Sequence, residues 1–313
     1  MVEKRNIWLD GVMGVIIGDA LGCPVQFLER DEIKERGPVI GMEGHGTYDM
    51  PAGTWTDDGS LTLATLDSII MRGDIDLEGI MTNFVDWYEK GKYTPFGEAF
   101  DIGNTCSCAI EIYENDQDVL LCGRTSEYSN GNGSLMRIIP VCLYAYEENL
   151  SDNDAIGYVH AVSGLTHNHL RSRIACGLYY FCVCAVLEGA GDLVNQLQKG
   201  MDMGFSYYEK DVANRVELSY YGRLRNLSEF ARTDESEIRS TGYVVDSLEA
   251  AIWSLINTDS FRDCELKAVN LGDDTDTIAA IAGGLAGLYY GYENMPAEWI
   301  AVIQRRDWIE KMC

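Results

Sequence analysis

The chain has 313 residues, 46% of them hydrophobic, with 50 acidic against 24 basic side chains and a formal charge of −26. That charge repels phosphate backbones and argues against nucleic acid as a direct partner, while the length and hydrophobic content suffice for a large core. An aromatic content of 10% argues against a disordered chain.

At the N-terminus, “MVEKRNIWLDGVMGVIIGDALG” has the basic start and apolar run of a signal peptide. Asp10 and Asp19 interrupt the run and no small-residue cleavage pattern follows, so a buried amphipathic helix is expected instead. No uninterrupted apolar stretch of about 20 residues occurs, so neither a membrane span nor a membrane partner is expected. Further along, “SLTLATLDSIIMRG”, “LEGIMTNFVDWYEKG”, “RSRIACGLYYFCVCAVLEG”, “VVDSLEAAIWSLIN” and “DTIAAIAGGLAGLYYG” repeat apolar residues at helical spacing. Alternating β-branched runs are nearly absent and only six prolines occur, which predicts an all-α fold. “YENDQD” and “YEENLSDND” read as solvated turns, and Asp192 to Thr241 as a connection. No low-complexity linker divides the sequence, so a single domain over 1–313 is expected. Glycines inside the last periodic run cost about 1 kcal/mol each in a helix, and close helix approach would explain them. The ten cysteines lack zinc-ribbon spacing and a secretory context, which predicts reduced thiols in a cytoplasmic protein.

Several polar clusters open apolar helices. Asp19 follows Gly18 in an apolar context and needs a partner. Thr56, Asp57 and Asp58 precede one buried helix; Asp273, Asp274, Asp276 and Thr277 open another. Asp and Thr are ordinary helix caps, and negative charge is favourable there. Capping needs one oxygen per helix, however, and these clusters offer far more. Hard divalent cations take oxygen ligands of this kind, so capping and a two-metal site both remain open on spacing alone. “DIGNT” offers Asp101 and Asn104 before another helix. “NGNGS” places Gly131, Asn132, Gly133 and Ser134 before a further one, where backbone N–H groups can approach an anion or form a plain turn. His167 and His169, two apart in “LTHNH”, would point in different directions on a helix and are not expected to share a metal.

Taken in order, “GDALGCPVQF”, “GTWTDDGSLTL”, “DIGNT”, “NGNGSLMRIIPV”, “LTHNH” and “VNLGDDTDTIAAIAGGLAGLYYG” resemble the ADP-ribosylglycohydrolases. The resemblance runs from about Gly14 to Gly291. It implies an all-α fold with a cleft holding two divalent cations, Mg²⁺ or Mn²⁺, and an ADP-ribosylated protein, or ADP-ribose itself, as substrate. It implies Thr56, Asp57, Asp58, Asp274, Asp276 and Thr277 as ligands, with Asp273 outside them. Asp57, Asp58 and Asp101 would take catalytic roles. Gln26, Asn104, Gly131, Asn132, Gly133, Ser134 and His167 would meet the substrate. Many relatives have glutamate where this chain has Gln26, an amide that cannot transfer a proton; Glu29 would replace it only if the loop folds back. Cleavage of ADP-ribosyl-arginine is the activity expected, with a serine-linked or O-acetyl compound, or silent binding, as alternatives.

Overall fold

After Asn6, whose side chain accepts the Leu9 N–H at 3.2 Å, the chain enters α1 (Ile7–Gly22). The computed structural model describes residues 5–189 and 191–313, so the basic start at 1–4 lies outside it. Among the described residues there is no strand, only three isolated bridges. α2 (Arg30–Arg36) is closed by a capping box between Glu29 and Glu32. α3 (Asp57–Arg72) and α4 (Leu77–Lys90) each end on a left-handed glycine, Gly73 and Gly91. Next come α5 (Asn104–Asp116), α6 (Ile139–Glu147), α7 (Asp152–Gly164) and α8 (Leu170–Glu188). α9 (Leu193–Tyr208) and the short α10 (Arg215–Leu218) and α11 (Leu227–Phe230) precede α12 (Val244–Ile256) and α13 (Phe261–Val269). α14 (Thr275–Tyr290), α15 (Ala297–Ile300) and α16 (Arg306–Met312) complete the chain.

All six periodic segments are helices. The stretch from Asp192 to Thr241 is not a plain connection, however. α9 buries Leu193, Leu197, Met201, Phe205 and Tyr208 along one stripe, a pattern that Gly200, Gly204 and the polar residues between them obscure in the sequence. “YENDQD” is likewise partly helical, since α5 continues to Asp116.

The packing of α1 against α14 sets the geometry of the whole centre. A methyl group on Gly14 would overlap the Gly283 carbonyl, one on Gly18 the Ala279 carbonyl, and one on Gly22 the backbone of Asp276. The glycines let two backbones touch, and the contact places the last turn of α1 beside the first turn of α14. Two helical stretches, Ile7–Val25 and Leu170–Glu188, have the length and composition to cross a membrane; each is 83% buried as core in this fold. All ten cysteines are free thiols.

Candidate active site

At the end of α1, Asp19 caps a different helix. Its carboxylate accepts the Thr56 N–H at 2.8 Å and the Gly59 N–H at 2.7 Å, which satisfies the start of α3 from outside. Burial raises its pKa to about 7 against the opposing pull of those N–H groups. Thr56, the residue at the cap position itself, makes no side-chain capping bond, and neither does Asp274 at the start of α14. Ordinary capping therefore does not account for the two acidic clusters.

Instead the two helix starts turn their oxygens toward each other. Thr56 Oγ1 lies 3.3 Å from Asp58 Oδ2 and 3.5 Å from Asp276 Oδ2, and the Thr277 hydroxyl donates to Asp58 Oδ2 at 3.3 Å. Asp58 Oδ1 is buried without a hydrogen-bond partner among the described residues. Burial pushes Asp57, Asp58 and Asp276 well above the usual carboxylate range. Neighbouring acids add to the push: Asp101 and Asp58 on Asp57, Asp19 and Asp274 on Asp58, Asp101 and Asp58 on Asp276. Asp274 rises too, mainly through burial.

No three Asp, Glu, His or Cys side chains among the described residues close into a metal cage by themselves; the hydroxyls of Thr56 and Thr277 link the carboxylates. The donor set nevertheless fits hard divalent cations. Every atom in it is oxygen, one buried oxygen is unpartnered, and the carboxylates repel one another.

Above this group opens a cleft of about 380 Å³. Asp57, Asp101, Asp274 and Thr277 line it, with Gln26, Asn104, Gly131, Asn132, Gly133 and His167. Thr56, Asp58 and Asp276 are buried outside that lining. Asp273 stands apart: it is exposed in a left-handed conformation, with the Ser240 hydroxyl donating to its carboxylate at 3.4 Å.

The glycine loop departs from the sequence expectation in two ways. Residues 133–137 form turns, and the next helix begins only at Ile139. Ser134 turns its side chain away from the cleft into the core, where its hydroxyl meets those of Ser163 at 2.9 Å and the Cys176 thiol at 3.6 Å. The Gly131 and Gly133 N–H groups make no hydrogen bond among the described residues, so the loop retains donors for an anion. Asn132 donates to Asp274 Oδ2 at 2.6 Å and to Ser247 Oγ at 2.9 Å, joining this loop to the start of α14.

Neither histidine of “LTHNH” is on a helix face. His169 caps α8 by accepting the Arg171 N–H, and His167 is buried with Nδ1 2.8 Å from Thr166 Oγ1. Burial and the nearby Arg137 lower its pKa to about 3, so it is neutral. Glu29 does not fold back to the cleft; it is exposed and committed to capping α2. Gln26 occupies the lining with a buried Oε1 that has no partner among the described residues.

Sequence reasoning missed Tyr48, whose phenol donates to Asp101 Oδ1 at 2.5 Å. Tyr48 is carried by a short loop that the Thr47 hydroxyl fastens to the Gln26 carbonyl at 2.7 Å. It carries no periodic signal. Arg137 was missed as well, although a lone charge inside the apolar run “SLMRIIPV” marks it.

A family model described as ADP-ribosylglycohydrolase matches residues 3–313. The chain is 33% identical over 304 residues to ADP-ribosylarginine hydrolase Tri1 of Serratia proteamaculans, covering 96% of this chain and 76% of that protein. It is 29% identical over 302 residues to the ADP-ribosyl-[dinitrogen reductase] glycohydrolase of Rhodospirillum rubrum, covering 95% and 90%. A solved ADP-ribosylglycohydrolase-related protein complex aligns over 100% of this chain and 97% of its own, with a TM-score of 0.78 and 28% identity. The chain belongs to the ADP-ribosylglycohydrolase family, and so to the glycosidic-bond hydrolases.

Proposed function

We propose that the protein releases ADP-ribose from modified arginine side chains by metal-dependent hydrolysis of the N-glycosidic bond. One observation carries the reading: oxygens from two helix starts converge at the floor of a cleft whose other wall is a loop with free N–H groups. Thr56, Asp57, Asp58, Asp274, Asp276 and Thr277 would hold two Mg²⁺ or Mn²⁺ ions. Such ions, when bound, orient hydroxyl groups and acidify water.

The chain's own residues supply the rest. Gly131 and Gly133 offer neutral donors to the diphosphate, a suitable arrangement in a protein of this negative charge. Asp57 and Asp101 face the cleft, where their charge stabilises an oxocarbenium-like transition state. Water forms the new C–O bond as the C–N bond breaks, and the bonding pair leaves on the guanidine nitrogen. Asp101 holds the proton lost by water before the departing guanidine takes it up; its Oδ1 is engaged by Tyr48, which leaves Oδ2 for this task.

Gln26 favours this linkage. A guanidinium leaves as a neutral guanidine and needs no acid, whereas a serine alkoxide does, and an amide cannot supply one. A comparison of arginine-linked and serine-linked ADP-ribosyl peptides tests the assignment. Release from the arginine peptide is expected; release from the serine peptide alone would refute it.

A further inference from the structure

Arg137 is completely buried and makes no salt bridge with any carboxylate among the described residues. Its Nε donates to the Gly133 carbonyl at 3.1 Å and its Nη2 to Thr166 Oγ1 at 2.8 Å, while the guanidinium lies 4.5 Å from the Phe84 ring centre. An enclosed cation with no direct carboxylate partner, offset only at a distance by charges such as Asp57, is expensive to keep, so a stability role explains it poorly.

The first link of the hydrogen-bond chain has a definite polarity. Guanidinium has donors only, so Thr166 Oγ1 must accept from Arg137. Its own hydrogen can go to His167 Nδ1, 2.8 Å away, or to the Cys106 sulfur. With Nδ1 as the acceptor, the ring proton sits on Nε2. The Nε2 edge is the one turned toward the loop: the carbon of a side chain added at Gly131 or Gly133 would stand 3.4 Å from it. His167 lines the cleft, is 3% exposed, and makes no hydrogen bond through Nε2 among the described residues. In that tautomer an unpartnered donor is aimed into the cleft and left for a ligand.

We propose that Arg137 is a positioning residue: through the Gly133 carbonyl and the Thr166 hydroxyl it fixes the glycine loop and locks His167 as a neutral Nε2–H donor to a diphosphate oxygen of the substrate. The ligand named here rests on the ADP-ribose reading of the cleft; the tautomer does not. A neutral donor keeps its proton across the physiological range, whereas an imidazolium would titrate.

Nitrogen-15 NMR of the imidazole signals of His167 in the unmutated protein is the direct test, run alone, with inorganic pyrophosphate and with ADP-ribose. The expected result is a single Nε2–H tautomer from pH 5 to 8 whose Nε2 proton moves downfield with both ligands. An Nδ1–H tautomer, a protonated ring at pH 6, or an Nε2 proton indifferent to both ligands would overturn the proposal. Arg137→Met can fail to fold, so Thr166→Val, nearly the same shape, carries the kinetic arm. It is expected to raise KM for the arginine-linked substrate about tenfold with kcat changed less than about threefold. An unchanged KM would contradict the relay. Absence of hydrolysis with the tautomer and the pyrophosphate response intact would refute the proposed function and leave this inference standing.

Discussion

Asp19 of α1 accepts the Gly59 backbone N–H at 2.7 Å and so caps a helix to which it does not belong. The consequence is chemical. Because α3 is capped from outside, Asp57 and Asp58 are free of that duty and can face the cleft and its floor. Asp19→Ala is expected to destabilise the protein by about 2 kcal/mol through the lost cap, and to weaken Mg²⁺ binding as the helix start frays. Denaturant unfolding and calorimetric metal titration measure the two effects; Mg²⁺ affinity equal to that of the unmutated protein would separate the cap from the site.

The buried carboxylates oppose folding until their charge is offset. Asp276→Asn is therefore expected to raise the melting temperature in chelator while abolishing the stabilisation that added Mg²⁺ gives the unmutated protein. Thermal melts with and without the ion check both halves. A variant still stabilised by Mg²⁺ to the full extent would remove Asp276 from the ligand set.

Tyr48→Phe removes the phenol that holds Asp101 Oδ1 and leaves the ring and its edge contact with Phe100, at 5.2 Å, in place. A loss of about tenfold in kcat with little change in melting temperature is expected. Steady-state kinetics on an arginine-linked substrate decide it.

Gly14→Ala places a methyl group on the Gly283 carbonyl, and no flexible side chain stands there to yield. The expected destabilisation is about 3 kcal/mol, at the upper end for overpacking, read from denaturant unfolding. Ready accommodation would show that α1 and α14 can separate without loss.

Two histidines, His167 buried and His160 half-buried, make the protein acid-sensitive. Burial lowers His160, which is stacked on Tyr208 and hydrogen-bonded to its hydroxyl at 2.7 Å, and His167, each to about 3. The unfolded chain binds protons below about pH 6.5 that the folded chain refuses, so stability present above that pH falls as the pH drops toward 3. Each histidine contributes up to about 1.4 kcal/mol per pH unit in that window. His160→Gln, outside the cleft lining, is expected to halve this part of the slope between pH 6 and 5 in urea unfolding; an unchanged slope would contradict it.

The sequence makes the two central helices and both acidic clusters legible because each rests on local pattern. The glycines of “AAIAGGLAGLYYG” announce a close contact, though not that α1 supplies the other side. What stays hidden depends on residues distant in the chain. The cap from Asp19 to Gly59 and the bond from Tyr48 to Asp101 have no local signature, and Asn132 tying its loop to Asp274 spans 142 positions. Ser134 looked like part of the anion loop because its neighbours are; only the fold shows its hydroxyl turned to Ser163. α9 escaped notice since glycines and polar residues interrupt its buried stripe.

The central claim is hydrolysis that depends on the two acidic helix starts and the ions they hold. Release of ADP-ribose from an ADP-ribosyl-arginine peptide, measured after chelation and again after Mg²⁺ or Mn²⁺ is restored, tests it most directly. The account predicts loss and recovery in the unmutated protein and no recovery in the Asp57→Ala/Asp274→Ala double variant. Full hydrolysis by the chelated protein, or by that double variant, would contradict it.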